Sequence, residues 1–157
     1  MRRFEYSHRA QPRAGYQRHH LIPVEVVRHP AFADIFSAVG RVGFNPHDFA
    51  SNGVCLPGCE ALAMHTGLPL HRGPHPHYTQ FVSDQVAFLC RDVSVNAPSG
   101  PMALMVKLSQ LQGSLRRSLD RSNTSLWLNR RDPRHGSGRL VAFDDDLRQL
   151  SMTDLLV

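Results

Sequence analysis

The chain of 157 residues has the length of one compact domain, and its 41% apolar and 20% charged residues are usual for a soluble globular protein. Its net charge of +5 suits a polyanionic partner. A membrane partner is not expected, because no apolar run approaches the roughly 20 residues that cross a bilayer. The N-terminal stretch also lacks the apolar segment of a secretory signal. The three cysteines are too few and odd in number for a disulfide framework, which favours reduced thiols and a cytoplasmic location.

The first forty residues change from an irregular arm to a strand and then to a helix. Residues 1–15 are polar and arginine-rich without periodicity, so we predict a flexible basic arm. Residues 17–22 are predicted to form a short strand that ends at a proline. Apolar residues then recur at helical spacing over residues 31–39, with Pro30 suited to a first helical turn and Gly40 to the position after the last turn.

A second strand and two helices are predicted in the middle of the chain. After a turn-rich stretch, NGVCLPG at residues 52–58 is typical of a short strand. Residues 60–65 are predicted to form a short helix ended by Gly67, and residues 77–90 a longer helix. The order of strands and helices indicates a mixed α+β fold with too few strands for a large sheet.

The C-terminal third is predicted to contain one long helix followed by irregular chain. A linker at residues 96–100 precedes leucines at helical spacing from Leu104 to Leu119. A basic loop, a candidate strand RLVAF and an acidic tail or short helix follow. The predicted organisation is an arm (1–15), a domain (16–95) and a C-terminal helical extension with a basic loop and an acidic tail (101–157).

Positive charge is concentrated in this extension. Residues 101–143 carry eight basic and two acidic side chains, whereas residues 144–157 carry one basic and four acidic ones. Of the 18 basic residues 17 are arginine, whose guanidinium suits bidentate phosphate contact and favours a nucleic-acid partner. A GC-rich genome also favours arginine over lysine, and the same arginines can engage the acidic run at residues 144–146. Charge alone therefore does not decide the function.

Three short motifs contain the residue types that carry chemistry. The first is RHHLIP, in which two adjacent histidines precede two apolar residues and a proline. Imidazole changes charge near neutral pH and is the commonest metal ligand. The second is NGVCLP at residues 52–57, which offers an amide, and the third is HRGPHPHY at residues 71–78, which offers further imidazoles. A general base, an orienting amide and a metal-ligand set can all come from these pieces.

In their order, gaps and final HP-x-Y, these motifs resemble the AHH nuclease family of the HNH/endonuclease VII superfamily, also called His-Me finger nucleases. The resemblance extends from Tyr16 to Cys90, about half the chain, and leaves residues 100–157 unexplained. Arg18 stands where the family usually has Ala or Gly. The resemblance implies an α+β, ββα-metal core with additional surrounding helices, in which two antiparallel strands and a helix grip one divalent cation.

The resemblance also implies a role for each motif residue. His20 is the general base, and Asn52 holds that histidine in orientation. The expected metal ligands are His19, His71 and His75. The last two are four residues apart, the spacing of imidazoles on one helix face, although the neighbouring prolines require a local turn. Successive strand residues face opposite ways, so the two adjacent histidines require a bend or bulge at the strand end.

Several side chains have two interpretations. Arg72 and Arg18 are candidate phosphate-binding residues or solvated surface arginines. Tyr78 either anchors the start of the helix or reaches a phosphate through its hydroxyl. The C-x-x-x-C spacing of Cys55 and Cys59 suggests a structural zinc, but no second pair accompanies it, so idle thiols are the default.

The sequence therefore predicts a metal-dependent endonuclease that hydrolyses DNA with little sequence specificity, because no recognition helix or zinc-finger spacing supplies base readout. The alternatives are an RNase of the same fold and a non-catalytic nucleic-acid or partner-binding module. The metal is Zn²⁺, Mg²⁺, Mn²⁺ or Ni²⁺; an all-histidine set suits Zn²⁺ or Ni²⁺, and turnover on phosphates often uses Mg²⁺ or Mn²⁺. The family often forms the toxic tip of bacterial toxins and effectors, so the resemblance implies either such a tip, delivered to another cell and paired with an immunity protein, or a stand-alone member of the family.

Overall fold

The computed structural model describes residues 12–122, 124 and 126–134. Most of the predicted basic arm, the candidate strand RLVAF and the acidic tail lie outside the described residues. None of the helices within the described ranges is long and apolar enough to cross a membrane.

The fold is a two-stranded antiparallel sheet surrounded by helices. In chain order the elements are β1 (Tyr16–His20), α1 (Val24–Val27), a 3-10 turn (Pro30–Phe32), α2 (Ala33–Arg41), α3 (Phe49–Asn52), β2 (Gly53–Pro57), α4 (Glu60–Thr66), α5 (Pro76–Leu89) and α6 (Gly100–Leu119). The strands pair in continuous register from Tyr16 with Pro57 to His20 with Gly53. This confirms the predicted α+β arrangement, in which β1, β2 and a following helix form a ββα unit.

One hydrophobic core includes the sheet, α5 and α6. Two strands alone are marginally stable in water, and here the apolar side chains of the sheet pack against buried residues of both long helices. The leucines of α6 are buried along one face at helical spacing: Leu104, Leu108, Leu111, Leu115 and Leu119. The predicted leucine helix is confirmed, and it belongs to the same core as the motif-bearing segments.

The structure corrects several predicted boundaries. β1 ends at His20, because the backbone N–H of Ile22 donates to the side chain of Asn52 instead of a strand partner. The four-residue helices α1 and α3 were not predicted, since a single turn shows no periodicity. Gly40 lies inside α2, which ends one residue later. Gly67 ends α4 with a φ of +70°, as predicted.

Candidate metal centre and catalytic site

The alternation of side chains along β1 separates its two histidines. His19 is 1% exposed and points into the core, whereas His20 is half-buried on the other face of the strand. Pairing stays regular through His20, so the chain needs no bulge between the two residues. A bend follows the strand at Leu21 and Ile22, after both histidines, so it does not turn them to the same face.

Three imidazoles meet on the inner side of β1. The ring centroid of His19 lies 4.9 Å from that of His71 and 4.8 Å from that of His75. One ring nitrogen from each residue lies within 4.8 Å of the other two. Among the residues that the structure describes, no other group of three histidine, cysteine or acidic side chains comes together in this way.

The unpaired nitrogens of this cluster fit a shared cation. Nε2 of His19, Nδ1 of His71 and Nδ1 of His75 are buried, and none has a hydrogen-bond partner within the described part of the chain. Buried polar atoms are normally satisfied, and a metal ion would satisfy three unpaired nitrogens on imidazoles that cluster this closely. Nitrogens bound to one tetrahedral cation lie about 3.4 Å apart, so small side-chain rotations would bring this set onto one ion.

Burial keeps the three imidazoles neutral, which is the form that binds metal. It lowers the pKa of His19 well below its usual value, and the charges of His71, His75 and His20 act in the same direction. Burial also lowers the pKa of His71 to about 4. The pKa of His75 is lowered by burial as well, although the residue's own backbone and the charge of Glu25 oppose the shift. The cluster therefore offers unprotonated nitrogens at neutral pH.

The segment from His71 to His75 is a turn, which corrects the helix-face explanation of their spacing. The backbone N–H of His71 donates to the carbonyl of Pro57 at 2.7 Å, so His71 is held at the end of β2. Gly73 lies at a bend and adopts a φ of +78°, a conformation that favours glycine. His75 is the N-cap residue of α5, and Pro76 occupies the first turn of that helix.

Tyr78 anchors α5 to the strand end. Its side chain is fully buried, and its hydroxyl donates to the carbonyl of Leu21 at 2.6 Å. Its ring packs edge-on against His19, with centroids 4.7 Å apart. Complete burial does not fit the expected phosphate contact and corresponds to the alternative interpretation of Tyr78 as an anchor.

Asn52 acts on the backbone beyond His20 rather than on the imidazole. Its Oδ1 accepts from the N–H of Ile22 at 2.8 Å and from Nε2 of Gln112 at 3.1 Å. Its Nδ2 donates to the carbonyls of Ile22 and Pro46, both at 2.9 Å. Both amide protons and both oxygen lone pairs are thereby used. Any orienting effect on His20 is therefore transmitted through the bend at residues 21–22.

His20 faces a histidine that the sequence left without a role. The ring centroid of His47 lies 6.4 Å from that of His20, so His47 lies beside the candidate base. Burial lowers the pKa of His20, and the charges of His47 and Arg18 lower it further. His47 lies in a turn-rich stretch without motif spacing, so no local signal could have identified it.

Arg18 lies on the outer face of β1 with His20, because the two residues are two positions apart. Its guanidinium stacks 4.8 Å from the ring centre of Phe49. The ring of Phe49 in turn occupies the space that a Cβ on Gly53 would need, which explains the glycine in NGVCLP. Arg18 remains exposed and available to a phosphate.

Arg72 is exposed beside the candidate ligand His71. Its guanidinium lies 3.7 Å from the carboxylate of Glu60, and both side chains are 55% exposed. Such surface ion pairs contribute little and are easily exchanged, so Arg72 can also reach a phosphate.

Arg116 and Arg134, two arginines of the positively charged C-terminal extension, are hydrogen-bonded within the protein. Arg116 donates to the carbonyls of Ala50, Ser51 and Gly53, where it caps the C-terminal end of α3. Arg134 forms a bidentate pair with the buried carboxylate of Asp132.

Arg130 and Arg131 are exposed, and the three cysteines are free thiols.

A family model described as AHH, a nuclease family of the HNH/ENDO VII superfamily with conserved AHH, matches residues 2–99. No curated protein and no solved structure gives a match.

Proposed function

Because the chain belongs to the AHH nuclease family of the HNH/ENDO VII superfamily, we propose that it is a metal-dependent endonuclease that hydrolyses DNA phosphodiester bonds. The observation that carries the proposal is the cluster of His19, His71 and His75, which has one unpaired buried nitrogen on each residue and includes the residue next to His20 in β1. Nuclease activity follows from the family; the metal dependence, the substrate and the residue roles are the proposed parts.

In this proposal the three clustered imidazoles would hold one divalent cation. Such an ion, when bound, supplies Lewis-acid stabilisation of the charge that develops on the phosphate and on the leaving oxygen. Three neutral nitrogens suit Zn²⁺ or Ni²⁺, while Mg²⁺ and Mn²⁺ remain candidates for turnover on phosphate.

His20 would accept the proton of the attacking water at an unprotonated ring nitrogen. Its lowered pKa keeps the imidazole neutral at pH 7, as a general base requires. Its adjacency to His19 in the chain keeps it beside the metal cluster, and the Asn52 contacts hold the bend that follows it. A base of this kind contributes about 10²–10⁴-fold to the rate.

The arginines near the site would contact the substrate backbone. Arg18 shares the outer face of β1 with His20, and Arg72 follows His71 directly. Contacts to phosphate oxygens position a nucleic acid without reading its sequence, which supports little sequence preference. They do not distinguish DNA from RNA, so an RNase of the same fold is an explicit outcome of the test.

The deciding experiment is cleavage of supercoiled plasmid and of total RNA by the purified full-length chain. Each substrate is incubated with EDTA, and then with Zn²⁺, Ni²⁺, Mn²⁺ or Mg²⁺ added back. We expect plasmid nicking that EDTA abolishes and that one of these ions restores. Cleavage of RNA alone would reassign the substrate, and binding of either polymer without cleavage under any ion would support a non-catalytic module.

The role as a toxin or effector rests on the resemblance alone. It includes delivery to another cell and an immunity-protein partner. Expression of the chain in the bacterial cytoplasm tests its first requirement, toxicity. We expect growth arrest with fragmented chromosomal DNA, and normal growth with the His20→Ala variant expressed at the same level. Equal growth of both strains would remove the toxin role while leaving the endonuclease proposal intact.

A further inference from the structure

The loop that carries His71 is held by a segment outside the matched family region. Residues 126–134, which we call the C-terminal clasp, hydrogen-bond to the chain on both sides of His71. We propose that the clasp positions His71 for metal binding, so that the metal site needs residues 126–134 in addition to the family domain. This inference rests on the proposed function and identifies positioning residues for its metal centre.

Asn129 makes the most direct contacts. Its Nδ2 donates to the carbonyl of Leu70 and to the carbonyl of Arg72, both at 3.1 Å. These carbonyls belong to the residues immediately before and after His71. Its Oδ1 accepts from the N–H of Arg131 at 2.9 Å, which fixes the amide within the clasp. One side chain thus sets the direction of the backbone on either side of the candidate ligand.

A buried ion pair forms the second contact. Asp132 is 2% exposed, and its Oδ2 accepts from the N–H of Leu70 at 2.9 Å. Arg134 neutralises this carboxylate through bonds of 2.9 and 2.8 Å, and it also donates to the carbonyl of Gly67 at 2.7 Å. A buried carboxylate is tolerated only when it is paired and hydrogen-bonded. The pair therefore holds the start of the loop and does not act as a free phosphate site.

Together these contacts hold His71 from two directions. The N–H of His71 donates to Pro57 at the end of β2, while the clasp holds Leu70 and Arg72 from the other side. The loop has no helix or strand of its own between α4 and α5. Without the clasp, the contact with β2 alone would have to keep the ring of His71 beside the other two imidazoles, close to Gly73, whose backbone no side chain restricts.

Buried leucines lie in both the clasp and the loop. Leu126 and Leu128 are buried in the clasp, and Leu68 and Leu70 are buried in the loop. Asn129 is only half-buried, so truncating it removes its two bonds to the loop and the bond from the N–H of Arg131 without removing a buried apolar side chain. Asn129→Ala is therefore the decisive variant, and Asp132→Ala is a second variant that removes the buried carboxylate.

The test measures metal affinity on the full-length protein. Zn²⁺ binding is titrated by calorimetry, and the Co²⁺ absorption spectrum reports the geometry of the ligand set independently of activity. Loss of groups that orient a ligand typically costs 10–100-fold in affinity, so we expect Asn129→Ala to bind Zn²⁺ about tenfold more weakly and to alter the Co²⁺ bands. Gln80→Ala, which removes an exposed amide bonded to Asp84, is the matched control and should bind as the wild type does.

Coupling to His71 separates positioning from a general loss of stability. In a His71→Ala background the clasp has no ligand to position, so adding Asn129→Ala should cause no further loss of affinity. Val39→Ala, a core truncation in α2, lowers stability without touching the loop and should leave Zn²⁺ affinity unchanged. An equal loss on adding Asn129→Ala with or without His71 would overturn the proposal.

The remaining outcomes are also decisive. If the wild type binds one Zn²⁺ and Asn129→Ala binds it with the same affinity and the same Co²⁺ spectrum, the clasp proposal fails and the endonuclease proposal stands. If the wild type binds no Zn²⁺ or Co²⁺, the three-histidine metal site and the clasp proposal both fail. Should Asp132→Ala not fold, Asn129→Ala decides alone.

Discussion

The side-chain amide of Asn52 forms a two-point hydrogen-bonded contact with the backbone of Ile22. Oδ1 accepts from the N–H at 2.8 Å, and Nδ2 donates to the carbonyl at 2.9 Å. The same amide also bonds to the carbonyl of Pro46 and to Gln112. It thereby joins the bend after His20, the turn before His47 and helix α6.

Asn52→Asp is expected to destabilise the fold. The substitution keeps the shape but places an acceptor against the carbonyls of Ile22 and Pro46, and it adds a buried charge without a cation. A buried unsatisfied polar group costs about 1–3 kcal/mol, and more when charged, so we expect a loss of at least about 2 kcal/mol in urea unfolding. Asn45→Ala, which removes one exposed bond to the N–H of His47, should cost less than about 1 kcal/mol. Equal stability of the two variants would contradict this role of the amide.

His20→Ala is expected to abolish cleavage while metal binding persists. The rate should fall by at least about 100-fold, because the general base is removed, whereas the three clustered imidazoles lie on the other side of the strand and stay intact. Initial rates on plasmid and calorimetric titration with Zn²⁺ measure the two effects separately. His65→Ala, at an exposed histidine in α4, is the control. Wild-type rates in His20→Ala protein would remove His20 from the mechanism.

The motif residues were accessible from sequence because their chemistry is local. Adjacent histidines, an Asn-Gly pair and a histidine-proline run can be recognised within a few residues, and the structure places His19, His71 and His75 together. The helix-face explanation for His71 and His75 was wrong, since Gly73 and the flanking prolines make a turn there. The four-residue spacing correctly indicated that His71 and His75 lie together, but a bend at Gly73 and the neighbouring prolines, rather than a helix, brings them there.

Contacts between distant segments were not predictable in the same way. Gln112 reaches Asn52 across 60 positions, Arg116 reaches Gly53 across 63 and Asn129 reaches Leu70 across 59. The sequence around each of these polar side chains contains no motif that identifies its partner. The partner is determined only when α6 and the clasp pack against the rest of the fold. For that reason the charge pattern alone left the role of Arg116 open, and only the fold shows that it caps α3.

His75→Ala and His19→Ala should each weaken metal binding. Each removes one of three converging nitrogens, so Zn²⁺ or Mn²⁺ affinity should fall, and cleavage should partly recover at high metal concentration because His20 is unchanged. Calorimetric stoichiometry and affinity are the measurements, with His77→Ala, an exposed histidine in the first turn of α5, as the neighbouring control. Wild-type affinity in both variants would place the metal elsewhere.

The metal-free protein is expected to lose stability between about pH 6.5 and pH 4. The pKa of His71 is about 4 in the folded chain, whereas the pKa of histidine in an unfolded chain is about 6.5. In that window the unfolded chain binds more protons, so stability rises with pH. The contribution is fully present above about pH 6.5 and is lost as the pH falls towards 4. Urea midpoints in EDTA should therefore fall with acidification, and His71→Gln should make the decline shallower. An equally steep decline in that variant would contradict the assignment.

Arg130 and Arg131 are expected to contact the nucleic-acid backbone. Both are exposed, and the preceding residue, Asn129, bonds to the carbonyl of Arg72 beside the candidate metal site. Arg134 is left in place because it neutralises the buried Asp132. Each phosphate-bound charge that is removed from a duplex-binding protein reduces the log–log salt slope by about 0.9. Arg130→Ala/Arg131→Ala should therefore lower the slope by about 1.8.

DNA affinity against salt concentration is the measurement, made in a His20→Ala background so that the substrate stays intact. Arg91→Ala is the control, because Arg91 is exposed and lies far from the candidate metal site. It follows the C-terminal end of α5, whereas His75 caps the N-terminal end. A helix of this length places the two residues about 20 Å apart. Its slope should match that of the parent protein. If Arg91→Ala lowers the slope per charge as much as the pair does, the effect reflects net charge alone. If the Arg130→Ala/Arg131→Ala variant changes neither slope nor affinity, these arginines do not contact DNA. Arg18, near His20, and Arg72, next to His71, then remain as the candidate contacts to the substrate backbone.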